Sequence, residues 1–177
     1  RPLYDDYTEN ASAATRDYVL KLEYKNGSAP LLNVFGGKIT TYRKLAEAAI
    51  TAISKFFPNL GESWTENSSL PGGDFPVQDV AKLIKKLQSE FNFLSEIRAK
   101  RLFRAYGLNA WELLKGTTKL EDLGEQFGEF LTQREVEYLR KNEFVMEAED
   151  IIWRRTKLGL RMSEKDKRRL SEYLKTS

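Results

Sequence analysis

The stretch Leu31-Leu-Asn-Val-Phe-Gly-Gly-Lys-Ile-Thr-Thr-Tyr-Arg43 passes from an apolar run through two adjacent glycines into residues at helical spacing. That order restricts the local fold to an extended segment, a tight turn that glycine enters freely, and a helix leaving it. A nucleotide-triphosphate loop would need a further glycine, with four residues between it and the Gly-Lys pair, and a Ser or Thr directly after the lysine. Leu32 and Ile39 stand at those places, so that reading fails on spacing. The segment 31–35 suits a strand buried on both faces. Thr40 or Thr41 is placed to cap the following helix, in which Leu45, Ala49, Ile53 and Phe56 recur at helical spacing until Pro58 stops it. Upstream, residues 18–24 read as a strand in partial alternation, with a turn at Asn26-Gly27.

Residues 1–57 thus read as a short α/β strip and 58–76 as a linker rich in Gly, Ser, Asn and Pro, with Trp64 available to pin it. Residues 77–177 read as an all-helical domain, with helices expected at 78–89, 94–105, 109–115, 132–142, 144–157 and 163–175. The stripes Val80-Leu83-Ile84-Leu87 and Ile97-Arg101-Leu102-Ala105 have the period of surface helices packed on a core. Phe91, Phe93, Phe103, Trp111, Phe127 and Trp153 are expected to supply core area. The fold class is therefore α+β: a short α/β strip followed by a mostly α-helical C-terminal domain.

The chain has no cysteine and no histidine. That excludes a disulfide framework and thiolate metal sites, and removes the usual base near neutral pH. No metal site and no catalytic residue is assigned within the chain, and any base of the histidine type has to lie outside it. No apolar run approaches the roughly 18 residues of a membrane span, so a soluble, cytoplasmic setting is expected. The net charge is +3, unevenly spread: residues 119–150 hold four basic and ten acidic side chains, residues 154–175 nine and three. Such asymmetry suits mutual pairing of surfaces. No nucleic-acid partner is expected, because no aromatics are interleaved with a basic groove. The sequence begins at Arg1 without a leader pattern, and reads as a piece of a longer polypeptide.

A strand that ends in two glycines and runs into a helix puts a helix N-terminus at the carboxyl end of a sheet, where ligands of open α/β folds sit. The free amides of that first turn carry about half an elementary positive charge, and Lys38 adds a full one. On pattern alone the unit is a generic anion site; a tight strand-to-helix turn with a solvated Lys38 explains the same residues.

Seven segments in order carry a more specific likeness: Arg1-Pro-Leu-Tyr-Asp-Asp6, Thr15-Arg-Asp-Tyr18, Pro30-Leu-Leu32, Val34-Phe-Gly-Gly-Lys-Ile-Thr-Thr-Tyr-Arg-Lys-Leu-Ala-Glu47, Leu70-Pro-Gly-Gly-Asp74, Asp122-Leu-Gly-Glu125 and Trp153-Arg-Arg-Thr-Lys157. Together they resemble the C-terminal part of the FAD-dependent glycerol-3-phosphate dehydrogenase family, over nearly the whole chain.

The resemblance implies a flavoenzyme that oxidises sn-glycerol 3-phosphate to dihydroxyacetone phosphate and passes electrons through FAD to quinone, in the cytoplasm and peripheral to the inner face of the cell membrane. Residues 1–57 become the C-terminal strip of the FAD and substrate domain. By the same resemblance Arg1 and Arg16 face the substrate phosphate, for which planar bidentate guanidinium groups are well matched. Lys38 sits near substrate and flavin. Gly36, Gly37, Lys38, Thr40 and Thr41 line the flavin's pyrimidine edge, where donors stabilise negative charge as it develops. Without the family, an ion pair with Asp17 explains Arg16, and helix capping explains Thr40 and Thr41.

The sequence departs from the family in two respects. It contains no G-x-G-x-x-G fingerprint and no histidine, so neither tight FAD binding nor turnover is expected from these residues alone. The alternatives are a glycerol-3-phosphate oxidase, which delivers electrons to oxygen, and a helical interaction module that supports a homodimer or binds a partner protein or membrane surface. The cluster Arg154, Arg155, Lys157, Lys165, Lys167, Arg168 and Arg169 either meets anionic lipid or pairs with the acidic stretch 119–150.

Overall fold

The computed structural model describes residues 17–176. The chain divides into two compact units, with the division between Ser68 and Ser69. In the first, strands β1 (Tyr18–Glu23) and β2 (Leu31–Gly36) form an antiparallel hairpin, in register from Tyr18 opposite Gly36 to Glu23 opposite Leu31. Gly27 has φ +82° in the connecting turn, as Asn26-Gly27 predicts. Helix α1 (Tyr42–Ile53) follows a short 3₁₀ turn, packs against β1, and gives way to a second 3₁₀ turn two residues before Pro58.

β2 is not buried on both faces as its apolar run suggests, for Leu31 and Val34 are about half exposed. The reason is architectural: one helix against a two-stranded hairpin cannot cover both faces of the sheet. At the hairpin's end the Tyr24 and Phe56 rings meet edge-on with centroids 5.2 Å apart, and the Lys55 ammonium lies 3.8 Å from the Tyr24 centroid.

The second unit is helical, and the whole chain is accordingly α+β. It contains α2 (Val80–Glu90), α3 (Glu96–Tyr106), α4 (Asn109–Leu114), α5 (Gln133–Asn142) and α6 (Glu164–Thr176), with a minimal antiparallel pair, β3 (Gln126–Phe127) and β4 (Leu131–Thr132), leading into α5. Ser95 caps α3 by accepting from Arg98 N at 3.3 Å, and Thr132 caps α5 by accepting from Glu135 N at 3.4 Å. Leu87, Phe103, Leu114, Phe127, Leu131, Val136, Leu139, Ile151, Ile152 and Leu170 make the centre of the core. Phe91, Phe93, Trp111 and Trp153 pack at its margin.

Three expectations are revised. The buried face of α3 is Ala99, Leu102, Phe103 and Tyr106, whereas Ile97 and Ala105 are exposed; the helix is rotated so that Arg98 and Arg101 reach the carbonyl of Phe130. The helix expected at 144–157 begins late, at residue 148, after an irregular entry, and runs to Arg155 with Asp150–Arg155 wound as a π-helix. Phe144 has φ +56°, Arg155 holds the preceding Glu143 carbonyl from Nε and Nη2, and Asp150 accepts from Met146 N and Glu147 N. At the far end the Ile151 carbonyl accepts from both Thr156 N and Thr156 Oγ1, a five-residue closure that widens the turn. The segment 58–76, read as linker, divides between the units: Ser63 and Thr65 bond to Glu47 of α1, while the Gly72 carbonyl accepts from Leu108 N at 2.9 Å.

The basic tract from residue 154 onward pairs with the acidic stretch before it. Arg154 lies 2.6 Å from Asp150, Arg155 3.6 Å from Glu143 and Arg169 2.5 Å from Glu125. At the surface such pairs contribute little each, about 0 to 1 kcal/mol.

Among the described residues, one charged side chain is buried in the core. Glu135, at 1% exposure, takes a two-pronged contact from Arg101, with Nη1 to Oε1 at 2.8 Å and Nη2 to Oε2 at 2.5 Å, and Tyr106 donates to Oε1 at 2.6 Å. Burial, then the neighbouring carboxylate, pushes the Tyr106 phenol far above its ordinary value, so it stays protonated and donating. Glu135→Ala would leave Arg101 largely buried without its counter-charge. Urea unfolding of this variant is expected to show a loss of about 3 to 5 kcal/mol, whereas Tyr106→Phe loses about 1 to 3 kcal/mol.

Candidate functional site

β2 delivers the chain into the glycine turn, where φ is +69° at Gly36 and +91° at Gly37. A side chain in the left-handed region costs about 1 to 2 kcal/mol. A Cβ on Gly36 would also sit 2.8 Å from the Asp17 carbonyl oxygen, and one on Gly37 3.0 Å from Leu45 Cδ1. The glycines therefore let the turn close onto β1 on one side and α1 on the other.

Lys38 comes next, extended and exposed. Its carbonyl accepts from Thr41 N at 3.0 Å and from Thr41 Oγ1 at 3.1 Å. The expected side-chain capping by Thr40 or Thr41 does not occur. The chain enters α1 through the 3₁₀ turn Ile39–Thr41, which points the Thr41 hydroxyl back at the Lys38 carbonyl instead of forward at an amide. Neither this turn nor α1 has an acidic residue in its first turn. The helix start thus has no acidic residue within its own first turn and has Lys38 beside it, an arrangement suited to an anionic group. Gly36, Gly37, Lys38, Thr40 and Thr41 are brought together here. Arg1 and Arg16 lie outside the described residues.

A neighbouring cluster was not anticipated. Glu47 Oε1 accepts from Arg43 Nη1, Ser63 Oγ and Thr65 Oγ1, each at 2.6 Å. Arg43 Nη1 also donates to Thr65 Oγ1 at 3.3 Å, and Lys44 lies 3.9 Å from Glu47 and 3.8 Å from Glu66. The Ser63 and Thr65 hydrogen bonds, then the charges of Arg43 and Lys44, pull the Glu47 carboxyl down to about 2. The four-residue spacing of Arg43 and Glu47 is a signal visible in the sequence; nothing local marks Ser63 or Thr65 as their partners.

Residues 63–175 match the family described as the C-terminal domain of alpha-glycerophosphate oxidase. The chain belongs to that family. Members of the wider group resemble it end to end: it is 49% identical over 99% of its length to a glycerol-3-phosphate dehydrogenase of Pseudomonas aeruginosa, and 42% identical over 98% to an aerobic glycerol-3-phosphate dehydrogenase of Escherichia coli. It is also 40% identical over 98% of its length to a D-erythritol 1-phosphate dehydrogenase of Brucella abortus. In each case the chain spans about a third, 34%, of the relative's length. These likenesses agree with the family resemblance carried by the seven motifs. The matched glycerophosphate oxidase domain begins at Ser63, so Ser63 and Thr65 are among its first residues, and they are the ones fastened to Glu47.

The titration of Glu47 checks this geometry. Its pKa is depressed in the folded chain, so the tie is fully present above the ordinary 4.5 and is lost as pH falls through about 2. Carbon-detected NMR of the Glu47 carboxyl is expected to place the midpoint near 2 in the native chain, and distinctly higher in a Ser63→Ala/Thr65→Ala variant. Equal midpoints in the two proteins would exclude the hydroxyl contacts.

Proposed function

We propose that this chain is the C-terminal part of a flavoenzyme that oxidises sn-glycerol 3-phosphate to dihydroxyacetone phosphate, with electrons leaving through FAD to quinone at the inner, cytoplasmic face of the cell membrane. The observation that carries the reading is the acid-free, uncapped helix start behind Gly36-Gly37-Lys38, in a chain 49% identical to a glycerol-3-phosphate dehydrogenase. The word aerobic in the name of the Escherichia coli relative supports a respiratory acceptor. The residues at the turn fit the electron-rich edge of a flavin: backbone amides, a helix dipole and the Lys38 ammonium, with no acidic residue in the first helical turn.

Bound FAD supplies a hydride acceptor. The chain's own contribution is electrostatic and positional. Lys38 and the start of α1 lower the energy of negative charge that develops nearby during oxidation. Gly36 and Gly37 fix where those donors stand. Arg16, and Arg1 with it, orient the substrate by its phosphate, matching two oxygens to two N–H groups.

A second reading is supported by the 40% identity to a D-erythritol 1-phosphate dehydrogenase. That substrate shares the terminal phosphate monoester with glycerol 3-phosphate and differs in the length of the polyol. The deciding test is anaerobic addition of each polyol phosphate to the full-length protein, with the flavin absorbance followed. Bleaching by glycerol 3-phosphate in clear preference to D-erythritol 1-phosphate is expected, and no bleaching by either removes the proposal. Peroxide formation in air would identify an oxidase. Arg16→Ala should raise KM about 10- to 100-fold, since a charge-assisted hydrogen bond contributes about 1.5 to 3 kcal/mol. Lys38→Ala should slow flavin reduction more than it raises KM; flavin content, reduction rate and KM all at wild-type values would leave Lys38 a solvated surface residue.

A further inference from the structure

Glu47 stands one step removed from the glycine turn, and the contacts between them form a continuous chain. Lys38 is tied to α1 through the two bonds from Thr41 to its carbonyl. Gly37 lies against Leu45 so closely that an added methyl would come within 3.0 Å of Leu45 Cδ1. Arg43 and Glu47 sit on the same helix, on either side of Leu45, and Glu47 gathers Arg43, Ser63 and Thr65 on a single oxygen. One carboxylate oxygen accepting three hydrogen bonds at 2.6 Å has little freedom to move without losing one of them. A displacement of residues 63–65 must therefore move the first half of α1 or break that set.

We propose that Glu47 is a positioning residue for the site at Gly36, Gly37 and Lys38, and that residues 63–66, where the C-terminal family domain begins, set the placement of Lys38 through it. The proposal rests on the functional reading above for what Lys38 does, and on the structure alone for the coupling. It gives this segment of the first unit a part in the chemistry without contact with substrate. Arg43 Nη1 is held by Glu47 and Thr65.

The test uses the full-length protein. Backbone hydrogen exchange is measured without substrate, in flavin-free and flavin-loaded forms, and steady-state kinetics follow. Glu47→Ala and the Ser63→Ala/Thr65→Ala double variant should each speed exchange of the 36–42 segment at least about fivefold, as local opening becomes easier. In the loaded enzyme both should lower kcat about tenfold while KM changes less than about threefold, as expected when a reacting group is misplaced and substrate capture is intact. Glu47→Gln keeps an acceptor for both hydroxyls and should recover most of the exchange protection and part of kcat.

Faster exchange at 63–66 with wild-type exchange at 36–42 would overturn the proposal, because Glu47 would then only pin a loop. Wild-type kcat in variants with a loosened 36–42 segment would overturn it equally. Should Glu47→Ala not fold, the double variant, which removes two hydroxyls and no charge, decides. If glycerol 3-phosphate fails to reduce the wild-type flavin, the functional reading falls, and the exchange measurement still decides the coupling.

Discussion

The helical unit is organised around a charge that the core cannot hold alone. Glu135 lies among Leu102, Leu113, Leu114 and Leu123, and its two oxygens are satisfied by Arg101 and Tyr106, both from α3. This requirement fixes the rotation of α3 and its register against α5, because a guanidinium fork meets a carboxylate in few orientations. It also carries Arg98 and Arg101 to the Phe130 carbonyl, which secures the approach to β4 and the start of α5. An apolar pair of similar volume would bind the helices as strongly; the ion pair adds geometric selectivity, which is what a small bundle with many interchangeable leucines lacks.

The first unit answers a different problem. Its hairpin is thin, and apolar side chains of β2 remain exposed. What the unit holds firmly is the passage from β2 to α1: two left-handed glycines, the Lys38 carbonyl closed by Thr41, Leu45 behind Gly37, and Glu47 drawing in residues 63–65. The distribution of charge follows the same division. No carboxylate stands in the first turn of α1, where an anion is expected, and the helix's one acidic residue, Glu47, lies further along, where it holds the scaffold.

Much of this was legible beforehand because it depends on local spacing. The apolar run, the glycine pair and the periodicity of Leu45, Ala49 and Ile53 are enough to place β2, the turn and α1. The motifs around Val34–Glu47 likewise carry the family without any structure. The face of α3 was misread because Ile97 and Ala105 keep the helical period as well as Ala99 and Tyr106 do; the choice between the two stripes is made by Glu135, more than thirty residues away. The helix expected at 144–157 starts late, at residue 148, for a similar reason: its propensities are helical throughout, yet Arg155 holds the Glu143 carbonyl and Asp150 occupies the amides of Met146 and Glu147.

The sequence by itself thus determined the secondary elements that close on their own neighbours, the α+β class and the family, because each of these is written in short-range spacing. Only the tertiary structure decided which face α3 buries, where the chain unwinds after α5, that Thr41 bonds backward instead of capping, and that Ser63 and Thr65 converge on Glu47. These depend on single polar groups satisfying partners from distant points in the chain, and a buried or shared hydrogen bond is strong enough to override a marginal local preference.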